Sequence, residues 1–294
     1  MPNNKLHSRN IVLTALASVV ALALGLACSG GPSGPAQGSP EWYMQAAREN
    51  FAIPDYAKTI EQLSEAMGAE GEIGTTAMLW HSVTTAGLAR GYSELGSAFM
   101  EGIEANEARA ADFQNFVNDY RRRTRINAIE FSEGVGKIQA LIQAQPSVSL
   151  DFPLPPGNDS VSPVLTSVRS GTNAETQIAG MEAQTLTRGI FSVLSDLTGG
   201  KSAEDLTSTA EAGTIEATSD EIAFGVSRIL LDISIMFDRE GINDPRVRGH
   251  VLGMAEKWVE PYLEDEDSEA VEEFKFDLEN ERRDIEGKRR IAKE

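Results

Sequence analysis

The sequence predicts an all-α fold. Apolar residues recur at spacings of three and four along most of the chain, which is the period of an amphipathic helix. Helix start and stop signals flank these segments, and no segment longer than a few residues alternates as a half-buried strand does. We expect antiparallel helix pairs, stacked as an α-solenoid or packed as a helical bundle, with a Pro-rich internal loop.

The composition excludes several classes of function. The chain has 294 residues, of which 45 are Asp or Glu, 26 are Lys or Arg, three are His and one is Cys, and 41% are hydrophobic. This length and apolar fraction are sufficient for one or two folded domains. The formal charge of -19 argues against binding of nucleic acid, because phosphate backbones are bound by clustered Lys and Arg. A single Cys excludes an internal disulfide and any multi-cysteine metal site.

Residues 1–27 have the organisation of an export signal. Lys5 and Arg9 precede an uncharged, apolar stretch over 11–27, and small residues come directly before Cys28. The apolar stretch would make a helix of roughly 25 Å, which is short of the ~30 Å hydrocarbon core of a membrane. The position of the Cys resembles the bacterial lipoprotein signal. This resemblance implies that Cys28 receives the lipid and becomes the first residue of the mature protein.

Other outcomes of processing stay open at the sequence level. Gly25 stands where lipoprotein signals prefer a branched apolar residue, so plain secretion after cleavage at Ala27, or a retained anchor, are the alternatives. Residues 28–39 are rich in Gly, Ser and Pro, and we expect them to form a flexible tether. The predicted location is the bacterial cell envelope, where the protein would be lipid-anchored to a membrane and face the periplasm or the exterior.

Residues 40–145 are predicted to form the first helical region. Ser39-Pro40-Glu41 is a helix start, with an N-cap side chain, Pro in the first turn and an acid at the positive end of the helix dipole. The segment 43–67 then predicts one helix, a turn at Pro54-Asp55 and a second helix. The segment 79–106 repeats this layout at an offset of 36 residues, pairing Tyr56 with Tyr92, Leu63 with Phe99 and Ala66 with Gly102.

This layout resembles the tetratricopeptide (TPR) helix-turn-helix unit, whose period is ~34 residues. The resemblance covers the first two hairpins and implies a TPR-like α-solenoid with a concave binding surface. Two ordinary helical hairpins are the alternative. Helical spacing then continues over 110–143 and fits either one long helix or two.

Proline dominates the segment 146–173, where its density argues against both helix and central strand. The segment is either a linker between two lobes or a loop that covers a groove. Residues 174–294 are predicted to form a C-terminal helical region. Its helices are expected near 174–198, 220–238, 244–263 and 268–292, with Gly199-Gly200 and Gly241 at helix ends and Asp244 as an N-cap.

No motif in the chain predicts catalysis, a metal or a cofactor. The stretch from Ser195 to Ser202 ends like a phosphate-binding loop, but it lacks the first Gly of that motif and the strand that precedes it. The end of one helix, followed by a new helix with Ser202 as its N-cap, explains the same residues. His81 and His250 have no second ligand at metal spacing. The acidic run 264–267 lacks the spacing of a calcium loop and is expected to be a solvated face. An unrecognised hydrolase is the remaining enzymatic alternative.

A basic cluster on the third helical region stands out in this acidic chain. Arg121, Arg122, Arg123 and Arg125 occupy most of one helical turn. Together with Tyr120, three of them form the candidate binding site, which comprises Tyr120, Arg121, Arg122 and Arg125. Such a cluster could bind an acidic partner, lipid headgroups or an anionic ligand. The alternative is that the Arg side chains pair with Asp and Glu of neighbouring helices.

The sequence thus predicts a lipid-anchored, helical protein that binds a protein or peptide partner through a concave surface. The alternative is a transporter accessory lipoprotein that binds a small anionic ligand or docks a solute-binding protein. In its lipid anchor, helix pairs and Arg-bearing third helical region, the chain is similar to the T component of periplasmic tripartite uptake systems. Since that component is trimeric, the resemblance also makes an oligomer possible.

Overall fold

The computed structural model describes residues 34–153, 161–172, 177–212, 215–262 and 269–291. Within these residues the chain forms ten α-helices and one small antiparallel sheet of two strands, so the predicted all-α class is confirmed. The predicted signal peptide 1–27 and Cys28 lie outside the described residues. None of the described helices combines the length and apolar character that a membrane span requires.

The helices are numbered in chain order, and the bounds of all elements are as follows. The helices are α1 (Pro40–Ala52), α2 (Tyr56–Ala66), α3 (Glu72–Ala105), α4 (Ala110–Ala144), α5 (Pro163–Arg169), α6 (Ile178–Leu197), α7 (Ala203–Ala212), α8 (Ser219–Met236), α9 (Pro245–Val259) and α10 (Glu269–Ile291). The strands are β1 (Ser147–Leu150) and β2 (Ile215–Thr218), which pair antiparallel with Val148 opposite Ala217.

Most of the predicted helix ends are confirmed. The Ser39 hydroxyl caps α1 by accepting a hydrogen bond from the Trp42 amide at 3.3 Å. This start follows a turn in which the Ser39 amide donates to the Ala36 carbonyl, so the last part of the predicted tether is ordered. Gly199 and Gly200 have φ angles of 73° and 85°, a backbone conformation that glycine adopts without strain. Gly241 is not such an end, because Asn243 takes the positive φ between α8 and α9.

Helix α3 is the centre of the fold. Every residue from Ala77 to Ala89 is buried, which is more than three turns, so neighbouring elements enclose this part of the helix on all sides. Helices α2, α4, α5 and α6 pack against it. In a solenoid each repeat contacts only its neighbours along the chain. The described residues therefore form a helical bundle around α3, and a TPR-like solenoid is not confirmed.

The predicted second hairpin over 79–106 is wrong. Residues 72–105 form the single helix α3, and no turn interrupts it at the position that corresponds to Pro54-Asp55. The reason is local, since this stretch contains neither a Pro nor an Asp cap. Two of its glycines, Gly87 and Gly91, instead allow close packing against α6. The spacing over 110–143 belongs likewise to one helix, α4.

The proline-rich segment is more structured than its composition predicts. Strand β1 lies between Pro146 and Pro153, and α5 begins at Pro163, where the missing N–H of proline costs nothing. The prolines thus flank these elements instead of interrupting them. Leu165 of α5 is fully buried, so the segment is part of the core. Residues 154–160 lie outside the described part of the chain.

The C-terminal helix α10 is held by a buried ion pair as well as by apolar contacts. Arg248 of α9 donates from Nε and Nη2 to the two carboxylate oxygens of Glu281, at 2.5 and 2.6 Å. The Ser234 hydroxyl donates to the same carboxylate at 2.8 Å. Both charged side chains are buried, and this bidentate geometry fixes the position of α10 on α8 and α9.

Candidate functional site

Three of the four Arg side chains in the basic cluster of α4 pair with carboxylates. Arg122 pairs with Asp119 of its own helix at 2.7 Å, and Arg125 pairs with Asp244 at the start of α9 at 2.8 Å. The fourth member, Arg123, is bound to Asp119 at 2.8 Å and also to Glu182. The alternative that the sequence left open, pairing with acids of neighbouring helices, therefore describes Arg123 and Arg125, whereas Arg122 pairs within its own helix.

Arg121 has a different partner. Its guanidinium donates to the backbone carbonyl of Glu240, in the connection between α8 and α9. Its side chain is partly exposed and lines a groove. Of the predicted site residues, Arg121 is thus the one that the structure places at an open cleft.

Tyr120, the remaining residue of the predicted binding site, lies in the core and is only 2% exposed. Its ring stacks on Tyr92 with centroids 6.0 Å apart, and its hydroxyl donates to Glu182 at 3.4 Å. Burial raises the pKa of Tyr120 above its ordinary value, and the negative charge of Glu182 raises it further. The physical reason is helical phase, since Val117 and Thr124, one turn to either side, are also buried against α3.

Two carboxyl groups near the cluster have shifted pKa values of opposite sign. The hydrogen bond from Arg125 and that from the Val247 amide lower the pKa of Asp244. Burial raises the pKa of Glu182, although the positive charge of Arg123 opposes this effect. Asp244 therefore stays ionised to more acidic pH than an exposed aspartate does.

An open groove of about 430 Å³ lies between α3, α4 and the connection that leaves α8. Its apolar lining comes from Met100 of α3, from Ile235 and Met236 at the end of α8, and from Ile242. Four carboxylates also line the groove, those of Glu101, Glu104, Asp238 and Glu240. We therefore call it the acidic groove.

The carboxylates of the acidic groove differ in their partners. Glu101 lies 3.5 Å from Arg169, and Asp238 accepts a hydrogen bond from the Gly241 amide at 2.7 Å, which shapes the turn. The side chains of Glu104 and Glu240 are exposed, and no ion pair involves them among the described residues. Four carboxylates against the single guanidinium of Arg121 make the groove suited to a cationic group and unsuited to an anion.

The other sequence candidates do not form a site of chemistry in the described residues. The ring of His81 pairs with Glu130, while His250 is exposed. No three His, Cys, Asp or Glu side chains are grouped to hold a metal ion in the part of the chain that the structure describes. Ser202 caps α7 by accepting from the Asp205 amide at 3.1 Å, as the sequence predicts. The acidic run 264–267 lies outside the described residues.

Comparisons of the chain with protein-family models, with curated proteins and with solved structures each found no match. We therefore infer function from the geometry and charge of the site itself.

The sequence did not indicate the acidic groove. Glu101 and Glu104 come from α3, whereas Asp238 and Glu240 follow more than 130 positions later. Carboxylates are common in this chain, and no local spacing marks these four. Arg121 was the one signal in the sequence that pointed to this surface.

Proposed function

We propose that the protein is a membrane-anchored, extracytoplasmic binding protein whose acidic groove holds a basic segment of a protein partner. The observation that carries this proposal is the open cleft with four carboxylates among apolar side chains. A Lys or Arg side chain suits such a lining, because its aliphatic stem packs on apolar groups while its charged end reaches a carboxylate. The volume of the groove accommodates a few side chains of a peptide segment.

The charge of the groove separates this proposal from the alternative of a small anionic ligand. An anion would face the carboxylates of Glu104 and Glu240, with only Arg121 to attract it. Of the other Arg side chains in the cluster, Arg122 and Arg125 already have carboxylate partners. A basic partner segment meets complementary charge without breaking these pairs.

The proposed location rests on the N-terminal sequence. The export signal over 1–27 and the position of Cys28 support attachment of the mature protein to a membrane through lipid. The following Gly, Ser and Pro residues would keep the bundle near the membrane surface.

Charge reversal in the groove tests the binding role. We expect Glu104→Lys with Glu240→Lys to weaken binding of a fluorescent peptide of alternating Lys and Leu by about tenfold, since two exposed ion pairs are lost and replaced by repulsion. Fluorescence anisotropy at physiological salt measures the affinity. The matched control is Glu65→Lys with Glu70→Lys, which changes the net charge equally at exposed positions outside the groove. Equal weakening in both proteins would show that only net charge matters, and the proposal would be wrong.

Replacement of the single cysteine tests the anchor. We expect wild-type protein in membranes to carry lipid on Cys28 at its mature N-terminus, as mass spectrometry of the N-terminal peptide would show. Cys28→Ser should move the protein to the soluble fraction of the cell envelope. A wild-type protein that begins at Cys28 without lipid would instead indicate plain secretion.

A further inference from the structure

We propose that the chain regulates its own acidic groove: residues 288–293 bind there and compete with the basic segment of the partner. We call these residues the 288–293 segment. This inference rests on the binding role proposed for the groove, and it adds an intramolecular competitor to that role.

The charge of the 288–293 segment is complementary to that of the groove. The segment reads Lys-Arg-Arg-Ile-Ala-Lys, with four cations and no acid, in a chain whose formal charge is -19. Four cations within six residues occur in one other place, the basic cluster of α4, whose Arg side chains are bound by groups of the bundle itself. In the groove, Glu104 and Glu240 are exposed and have no ion pair among the described residues. The 288–293 segment is therefore the cationic stretch of this chain that matches the groove.

Helix α10 leads the 288–293 segment toward the end of the bundle where the groove lies. Phe274 packs edge-on against Phe224 of α8, with ring centroids 5.5 Å apart. Further along both helices, Glu281 accepts a hydrogen bond from the Ser234 hydroxyl at 2.8 Å. The contacts advance in the same direction on the two helices, so α10 runs parallel to α8. The two residues that follow Ser234 on α8 line the groove.

The 288–293 segment is also long enough to reach the groove. Helix α10 ends ten residues beyond Glu281 and so extends roughly 15 Å further, past the end of α8. Ser234 faces α10, whereas Ile235, about 100° further around α8, lines the groove, so the width of one helix, ~10 Å, lies between them. Six residues in an extended conformation span up to ~20 Å. This length is sufficient to pass the end of α8 and reach the exposed Glu240.

Gly287 allows the last turn of α10 to leave the helix. Glycine is a poor helix former because its backbone loses more freedom on folding than that of any other residue. No close contact requires glycine at this position, since a Cβ atom on Gly287 would meet nothing within 4 Å in the described part of the chain. Helix ends also fray, because the last turn lacks part of its hydrogen bonds. A segment that unwinds at Gly287 therefore gives up little helix stability and gains ion pairs in the groove.

Cross-linking tests the contact directly. The Cys28→Ser protein has no thiol, and two cysteines are added to it by Arg239→Cys, in the connection that leaves α8, and by Ala292→Cys. These changes keep the groove carboxylates and all four cations of the 288–293 segment. We expect an intramolecular disulfide under mild oxidation, identified by peptide mapping of the monomer band. The matched control, Glu65→Cys with Ala292→Cys, places the first thiol at an exposed position of α2 and should give about tenfold less cross-linked monomer.

Three outcomes of the cross-linking experiment would overturn the proposal. The yield could equal that of the control, in which case the segment does not reach the groove. The disulfide could form only between two chains, in which case the groove holds the segment of a second copy. The yield could stay unchanged after Glu104→Lys with Glu240→Lys, in which case the segment lies near the groove without binding its carboxylates.

Neutralising the 288–293 segment tests the competition. The variant replaces three of its cations by glutamine: Lys288→Gln, Arg289→Gln and Arg290→Gln. We expect this variant to bind the peptide of alternating Lys and Leu at least about threefold more tightly, because the groove is then open in a larger fraction of the molecules. The matched control makes the same change of net charge at three exposed lysines outside the groove: Lys58→Gln, Lys137→Gln and Lys257→Gln. An equal gain in the control would mean that net charge alone acts, and would contradict the competition.

This inference and the proposed function can fail separately. If the neutralised variant binds the peptide as wild type does, while Glu104→Lys with Glu240→Lys still weakens binding, the groove binds a basic partner and the 288–293 segment does not compete. If neither protein binds the peptide but the intramolecular disulfide forms, the segment occupies the groove and the proposed binding of a partner is wrong.

Discussion

At the residue scale, the basic cluster illustrates how position within one helical turn decides the role of a side chain. Arg125 binds Asp244 at 2.8 Å, and Asp244 at the same time caps α9 by accepting a hydrogen bond from the Val247 amide at 3.2 Å. The pair therefore joins α4 to the start of α9. Tyr120, five positions earlier, faces the core. Side chains that are close together in sequence thus have three different roles: Arg125 forms a structural ion pair, Arg121 lines the groove and Tyr120 is part of the core.

The Asp244 pair predicts a defined dependence of stability on pH. The folded pKa of Asp244 lies below its ordinary value of 3.8, so its ionised form stabilises the fold above that pH, and this contribution is lost as the pH falls through the folded pKa. Asp244→Asn keeps a cap but loses the ion pair. We expect a loss of about 0.5–1 kcal/mol in the free energy of unfolding at pH 7. Urea titrations should show this difference shrinking as the pH falls below 3.8.

The control for this prediction is Arg122→Ala. Arg122 is exposed and its pair with Asp119 lies on the surface of one helix, so its removal should change stability by less than about 0.5 kcal/mol. A difference between wild type and Asp244→Asn that stayed constant from pH 7 to acid would contradict the role of the ionised carboxylate.

At the element scale, glycine residues allow α3 and α6 to cross with their backbones in close contact. A Cβ atom built on Gly189 would lie 2.2 Å from the carbonyl oxygen of Gly87, and one on Gly87 would lie 2.5 Å from the Cα of Ile190. Backbone therefore meets backbone, and neither helix can yield by rotating a side chain. Gly87 and Gly91 are spaced by one turn on α3, which places both on the face that α6 covers.

A single methyl group at this crossing should be strongly destabilising. We expect Gly189→Ala to lower the free energy of unfolding by about 1–3 kcal/mol or more, because overpacking forces the backbones apart. Gly136→Ala on α4 is the matched control, since Gly136 is exposed and a Cβ there would meet nothing within 4 Å. This control should be stabilising by about 0.5–1 kcal/mol through helix propensity. Urea denaturation of both variants measures the difference, and equal effects would contradict the crossing.

At the scale of the whole molecule, the two halves that flank the proline-rich segment share one core. Helix α6 covers α3, and α5, within that segment, is buried against α3 as well. Arg90 of α3 is bound by Asp196 of α6 at 2.6 Å and by Asp232 of α8 at 2.5 Å. Helix α3 thus depends on partners from the second half of the chain, both for its apolar contacts and for its charge.

This shared core predicts that the first helical region does not fold alone. A fragment of residues 40–145 would expose the face of α3 that α5 and α6 cover, and would leave Arg90 without both carboxylates. We expect this fragment to lack a cooperative urea transition, as monitored by circular dichroism and tryptophan fluorescence. The full bundle should unfold in one transition. A cooperative transition in the fragment would show that the segment 146–173 separates two independent domains.

The sequence by itself determined the all-α class and most of the helix ends, such as the Ser39 cap, the Asp244 cap and the Gly199-Gly200 end. These features are local, because a helix and its caps are made by hydrogen bonds between residues three to five positions apart. The tertiary structure decided that Tyr120 is buried and that the acidic groove exists. Each of these depends on contacts between residues distant in sequence, for which the amino-acid pattern around one position carries no signal.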